Sequence, residues 1–266
     1  MPRRANPKSL PVDGGIATAD TTPPASAGRD VTIPTVEEAS ATEWRSVLPS
    51  TADRPLGRFR SSVSNQGVAI IPDRRKGGHP QQVFTESTGE DNSLMVLSTR
   101  HDIVEIREQQ EATYRDEEGR LRRHYFDFVV TTAEGLRIAL AYKPSDRVKA
   151  LDFEAYLAEL ATRISPAFAD EIKLITEHDF PPIQVANANL INDCRRDQPN
   201  DADEAVLEML GDLTGAVRIA DLRDATGYGG EAFRAIVRLI GQRRIVMEGQ
   251  GRIGGETWVR IAGEVA

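Results

Sequence analysis

The stretch Tyr125-Phe-Asp-Phe-Val-Val-Thr-Thr-Ala-Glu-Gly-Leu-Arg-Ile-Ala-Leu-Ala-Tyr-Lys-Pro144 decides the fold. Its β-branched and aromatic residues predict two strands, and successive side chains of a strand point to opposite faces. Tyr125, Asp127 and Val129 are therefore expected on one face, and Phe126, Phe128 and Val130 on the other. In the second strand Leu136, Ile138, Leu140 and Tyr142 face one way, and Arg137, Ala139, Ala141 and Lys143 the other. Thr131 to Gly135 is a hairpin-length connection whose glycine can take the positive φ such turns need. This register brings Asp127 beside residues 141 to 143. Upstream, a helix begins near Glu86 with Glu90 in its first turn, and a strand through Asp102 to Gln109 follows it.

A carboxylate on one strand, a lysine ending the next and a glutamate on an adjacent helix can hold Mg²⁺ (or Mn²⁺), a hard ion that prefers oxygen, with the lysine orienting or activating a water. The simpler readings are a cross-strand ion pair for Asp127 and Lys143 and a dipole-favoured first-turn acid for Glu90. The three residues together resemble the D…(E/Q)xK signature of the restriction-endonuclease-like fold. Asp102-Ile-Val-Glu-Ile-Arg-Glu-Gln109 resembles a strand of the TnsA family, the endonuclease subunits of heteromeric cut-and-paste transposons.

That resemblance covers about Arg75 to the C-terminus and implies catalytic roles for Glu90, Asp127 and Lys143, with Glu90 and Asp127 as metal ligands. It also implies DNA at transposon ends as substrate, a TnsB-like transposase and a TnsC-like ATPase as partners, and a winged-helix-like second domain. Ala141 departs from it, standing where the family has Gln or Glu, so metal affinity is expected to fall. Glu or Gln at 141 is expected to place an oxygen toward Glu90 and Asp127. The function expected is a DNA endonuclease subunit, impaired at Ala141; the other reading is a non-catalytic DNA- or partner-binding protein of the same descent.

A length of 266 residues allows two modest domains and a tail. The net charge of −8 confines any DNA contact to local basic patches. The single cysteine, Cys194, excludes an internal disulfide framework and a cysteine-based zinc site, which points to a reducing cytoplasmic compartment. No apolar run reaches membrane-span length.

Residues 1–34 are expected to be a disordered tail, being poor in large apolar side chains. A short helix is expected next, capped at Thr35 and carrying Trp44, Val47 and Leu48. Arg74, Arg75 and Lys76 sit in a glycine-containing loop before the helix of Glu90, suited equally to phosphate contact or to a solvated turn. An amphipathic helix over 149–164 is expected to bury Leu151, Tyr156, Leu157, Leu160 and Ile164, and 172–176 reads as a strand. The acidic run Asp197 to Asp203 reads as a linker, dividing a nuclease domain (35–198) from a winged-helix domain (199–266). In the latter, three helices precede strands at 243–247 and 258–261. Arg234, Arg238, Arg243 and Arg244 are its candidate DNA contacts, with protein–protein contact an equal alternative.

Overall fold

The computed structural model describes residues 46–54 and 65–263. The expected tail and most of the expected helix from Thr35 lie outside them. Within them Val47 and Leu48 are not helical: Leu48 forms an isolated bridge to Gln81, donating to the Pro80 carbonyl at 2.8 Å.

A hairpin of β1 (Gly67–Asp73) and β2 (His79–Thr85) comes first, closed by a single helical turn over Arg74–Lys76. Helix α1 (Thr88–Thr99) then begins at Ser87, whose hydroxyl accepts the Glu90 amide at 3.2 Å. Three antiparallel strands follow, β3 (Ile103–Arg115), β4 (Leu121–Thr132) and β5 (Arg137–Tyr142). Gly135 has φ +88° in the β4–β5 connection, the conformation expected of it. A crossover through α2 (Ser145–Ala150) and α3 (Phe153–Arg163) returns the chain to β6 (Glu171–Ile175), parallel to β5. The result is a mixed sheet in the order β3-β4-β5-β6, flanked by helices.

The single helix expected over 149–164 is broken, with Asp152 at φ +47°. Leu151 and Tyr156 are exposed, whereas Leu157, Leu160 and Ile164 are buried as expected. The break shortens the apolar stripe to the part of α3 that lies on the sheet.

Each face of the sheet has its own apolar cluster. One joins Leu94 and Leu97 of α1, Ile71 and Val83 of the hairpin, and Ile106, Phe128, Val130 and Leu140. The other joins Leu157 and Leu160 of α3 to Ala112, Phe126, Val129, Ala139 and Ala141. The β5 alternation is as expected, but β4 departs from it: Phe126 joins the α3 cluster with Val129, while Phe128 and Val130 join the α1 cluster. The departure coincides with Gln109 at φ +47°, where the β3–β4 ladder skips from Glu108–Phe128 to Gln110–Phe126. A non-glycine residue in this region is uncommon, and it re-aims both strands beside Asp127.

The chain continues through α4 (Pro182–Cys194), α5 (Asp201–Gly211), the short β7 (Val217–Arg218), α6 (Ile219–Thr226) and α7 (Gly230–Gly241). It ends in β8 (Ile245–Glu248) and β9 (Trp258–Ile261). Strands β7, β9 and β8 form a small antiparallel sheet over a core of Val206, Leu210, Leu222, Ile236 and Val259. Helix α4 joins this core through Cys194 and also docks on α1, where buried Asn192 donates to the Met95 carbonyl at 3.0 Å and accepts from the Ser98 hydroxyl at 3.1 Å. The described residues thus pack continuously through α4.

Candidate active site

Pairing between β4 and β5 runs from Thr131–Arg137 to Phe128–Leu140. Beyond it the strands part, and the Asp127 carboxylate accepts the Tyr142 amide at 2.7 Å in place of a ladder bond. Asp127 therefore lies beside residues 141 to 143, as the hairpin register implied. The N-terminus of α1 covers this fork because residue 89 is glycine: a Cβ there would meet the Tyr142 ring at 2.0 Å. That close approach sets Glu90 over the end of β5.

Glu90 is buried, and its oxygens are already engaged at the helix start, one by the Glu86 amide at 2.9 Å and the other by the Ser87 hydroxyl at 2.8 Å. This is a Ser-x-x-Glu cap. Gln109 bridges the two acids, its amide nitrogen 3.5 Å from Glu90 and 3.4 Å from Asp127. Arg54 fixes the amide by donating to its oxygen at 2.9 and 2.6 Å, and also pairs with Glu86 at 2.7 Å. The Lys143 ammonium lies 4.9 Å from the centre of the Phe153 ring.

The electrostatics follow from this geometry. Burial, then the negative charge of Glu90, push the half-buried Asp127 carboxyl up to about 7, against the Tyr142 amide, Lys143 and Gln109. Burial likewise pushes Glu90 up, against its hydrogen bonds from Glu86 and Ser87. Two carboxylates held together in a desolvated place resist losing both protons. Among the described residues no group of three or more His, Cys, Asp or Glu is placed to hold a metal ion.

Ala141 is enclosed within the α3 cluster at 2 % exposure. The expectation that a longer acidic side chain there meets the pair without burying an unpaired charge is corrected: the position is filled space among apolar side chains. Ala141→Glu should lower stability to urea by at least about 2 kcal/mol, the scale of an unsatisfied polar burial. Full recovery of that loss on adding Mn²⁺ would instead show that the new carboxylate reaches Asp127.

The expected DNA-contacting cations are placed unevenly. The Arg74–Lys76 turn is separated from α1 by β2 and lies at the far end of that helix, where Arg74 donates to the Arg100 and Ile103 carbonyls at 2.6 and 3.1 Å. Arg75 pairs with Glu105 at 2.8 Å and Lys76 with Asp73 at 3.2 Å. Arg234 pairs with Asp193 and Asp197. Arg238 is buried at 3 % exposure against Asp203, which removes it from any groove-facing surface. Arg243 and Arg244 are exposed, with no ion pair among the described residues.

Gln109 and Arg54 received no individual role from the sequence. Their signal was the polar run Arg107-Glu-Gln-Gln-Glu111 inside a strand whose neighbours are apolar, since polar groups buried in a sheet need partners. Glu108, fully buried, takes hydrogen bonds from Ser50 and, at 2.8 Å, from Thr51, pinning the segment that carries Arg54. No protein-family model matches the chain, and no curated protein matches it.

Proposed function

We propose that this chain is a metal-dependent DNA endonuclease subunit of the TnsA kind, with a restriction-endonuclease-like module built on the β3–β6 sheet and a winged helix built on α5–α7 and β7–β9. The observation that carries the reading is the fork itself: Glu90 and Asp127, distant in sequence, share one desolvated place with Lys143 acting on Asp127 from the α3 side. Mutual repulsion there is the state a divalent cation relieves. Mg²⁺ commonly uses one or two carboxylates and completes its shell with water and substrate phosphate, so the donor set fits. Bound, it would polarise a phosphodiester oxygen and favour a hydroxide nucleophile.

The chain's own groups have separable tasks. Tyr142 orients Asp127 through its amide, Ser87 and Glu86 orient Glu90, and Gln109, held by Arg54, keeps the two acids in register. Lys143 supplies a donor and a positive charge. For DNA contact the reading retains Arg243 and Arg244 and sets Arg238 aside. The TnsB-like transposase and TnsC-like ATPase follow from the same resemblance.

The test is cleavage of a transposon-end duplex in Mg²⁺ or Mn²⁺ with partner proteins present. Glu90→Gln and Lys143→Ala should each reduce cleavage about 10²–10⁴-fold, the range for loss of a positioned acid–base group, while the fold stays intact by circular dichroism. A second reading, a non-catalytic DNA- or partner-binding protein, is favoured by the enclosed Ala141 and by the capping role of Glu90. It predicts neither cleavage nor metal binding in the unmodified chain.

A further inference from the structure

At the opposite end of α1 from Glu90, nine residues and about 14 Å along the helix, lies a cavity of about 430 Å³ between the Arg74 turn, α4 and α7. Its lining includes Thr99, Ile191 and Gly241, together with the donors Arg74, His101, Arg195 and Gln242. We propose that this cavity is a seat for a phosphoanion, held between the Arg74 and Arg195 guanidinium groups.

Three observations carry this. Arg195 uses Nη1 on the Ser98 carbonyl at 2.9 Å, but its Nη2 is buried with no hydrogen-bond partner. Buried charged donors left unpaired are costly. Arg74 uses Nη1 on the two carbonyls that end α1 and start β3, and His101 uses Nε2 on the Gly241 carbonyl at 2.8 Å, which leaves Nδ1 of the ring. The charge is also unbalanced. Arg195 is pushed down to about 10 by burial and then by the neighbouring Arg74 and Arg196, with no carboxylate opposing. Asp102 acts on Arg74 and His101 but is itself chelated by Arg100, and Arg238 on the cavity wall is neutralised by Asp203.

Guanidinium forks match the oxygens of phosphate in geometry and charge. The volume lies in the range of small-ligand sites. A phosphate group from free nucleotide or polyphosphate, or one from a DNA backbone, presents the same chemistry. The inference does not rest on the carboxylate pair, so the two stand or fall separately.

His101 reports occupancy in the unmodified chain. Burial pushes its imidazole below the usual value, helped by Arg74 and Arg243, and opposed by its bond to the Gly241 carbonyl and by Asp102. A bound anion favours the protonated ring. In NMR titrations with inorganic phosphate, pyrophosphate and a short duplex, the His101 pKa should rise by about one unit in a saturable manner, and the rise should be lost in Arg195→Gln and in Arg74→Gln. Response to the duplex alone assigns the seat to backbone phosphate; response to phosphate or pyrophosphate assigns it to a free ligand. If Arg195→Gln fails to fold, the unmodified chain and Arg74→Gln decide. No shift of His101 with any of the three probes, or an equal shift in both variants, overturns the proposal.

Discussion

Arg238→Ala should lower the unfolding free energy by about 3–5 kcal/mol at neutral pH, because it breaks a buried pair from one side. The Arg238 guanidinium meets Asp203 through two bonds, at 3.0 and 2.5 Å, and lies 3.4 Å from the Cys194 carbonyl. Both residues are almost wholly buried, and Asp203 also accepts the Asn200 amide at 3.0 Å, closing the cap of α5. Burial alone would push the Asp203 carboxyl up, yet Arg238 and the Asn200 amide hold it below the usual carboxylate range. The stabilisation is therefore present above the unfolded carboxyl pKa near 4 and fades as pH falls through the lower folded value.

Urea titrations at pH 7 and pH 3 separate this account from lost packing. The Arg238→Ala deficit should be largest at pH 7 and shrink at pH 3, whereas lost side-chain volume would weigh equally at both. Arg234→Ala, whose partners Asp193 and Asp197 are solvated, should cost under about 1 kcal/mol. A pH-independent deficit of the same size in both variants would sink the argument. Weakened DNA binding by Arg238→Ala would follow from unfolding, since the side chain has no route to a groove.

These placements mark where the sequence was legible. Helix α1, the three antiparallel strands, the glycine hairpin and β6 were written in local signals: an acid in the first helical turn, β-branched alternation and a positive-φ residue at the turn. Asp127 beside Tyr142 followed from the register alone. What local pattern cannot carry is a side chain's partner. Arg234 and Arg238 stand on a helix at a spacing that suits DNA as well as it suits acids 35 to 41 residues earlier, and only the packing of α4 and α5 on α7 decides for the acids. The break at Asp152 and the interruption of the ladder at Gln109 are positive-φ positions without glycine, so composition gave no warning of either. The interruption at Gln109 mattered most, since it coincides with the altered β4 alternation beside Asp127.

The fork should also be visible in stability against pH. Asp127 titrates near 7 in the folded chain and near 4 when unfolded. A carboxyl raised on folding contributes stability that is fully present below its unfolded pKa and is lost as pH rises through the folded value. Across roughly pH 4 to 7 the metal-free protein should therefore lose stability through this group, on the order of 4 kcal/mol in all, with Glu90 shifted in the same sense. Asp127→Asn keeps an amide oxygen for the Tyr142 N–H and removes the charge. It should melt above the unmodified chain at pH 8 without metal and match it at pH 4. Added Mn²⁺ should raise the melting temperature of the unmodified chain at pH 8 and leave Asp127→Asn unmoved, because a cation relieves the same repulsion only where both carboxylates remain. The pH arm tests the coupling of the two acids, and the Mn²⁺ arm tests whether that coupling is a metal site. A variant stabilised at pH 8 beside an unmodified chain indifferent to Mn²⁺ would keep the electrostatics and transfer Glu90 and Asp127 to a capping role, Glu90 at the start of α1 and Asp127 at the end of β5. A variant that melts no higher than the unmodified chain at pH 8 would mean that the charges are already screened and that the fork stores no repulsion for a metal to relieve.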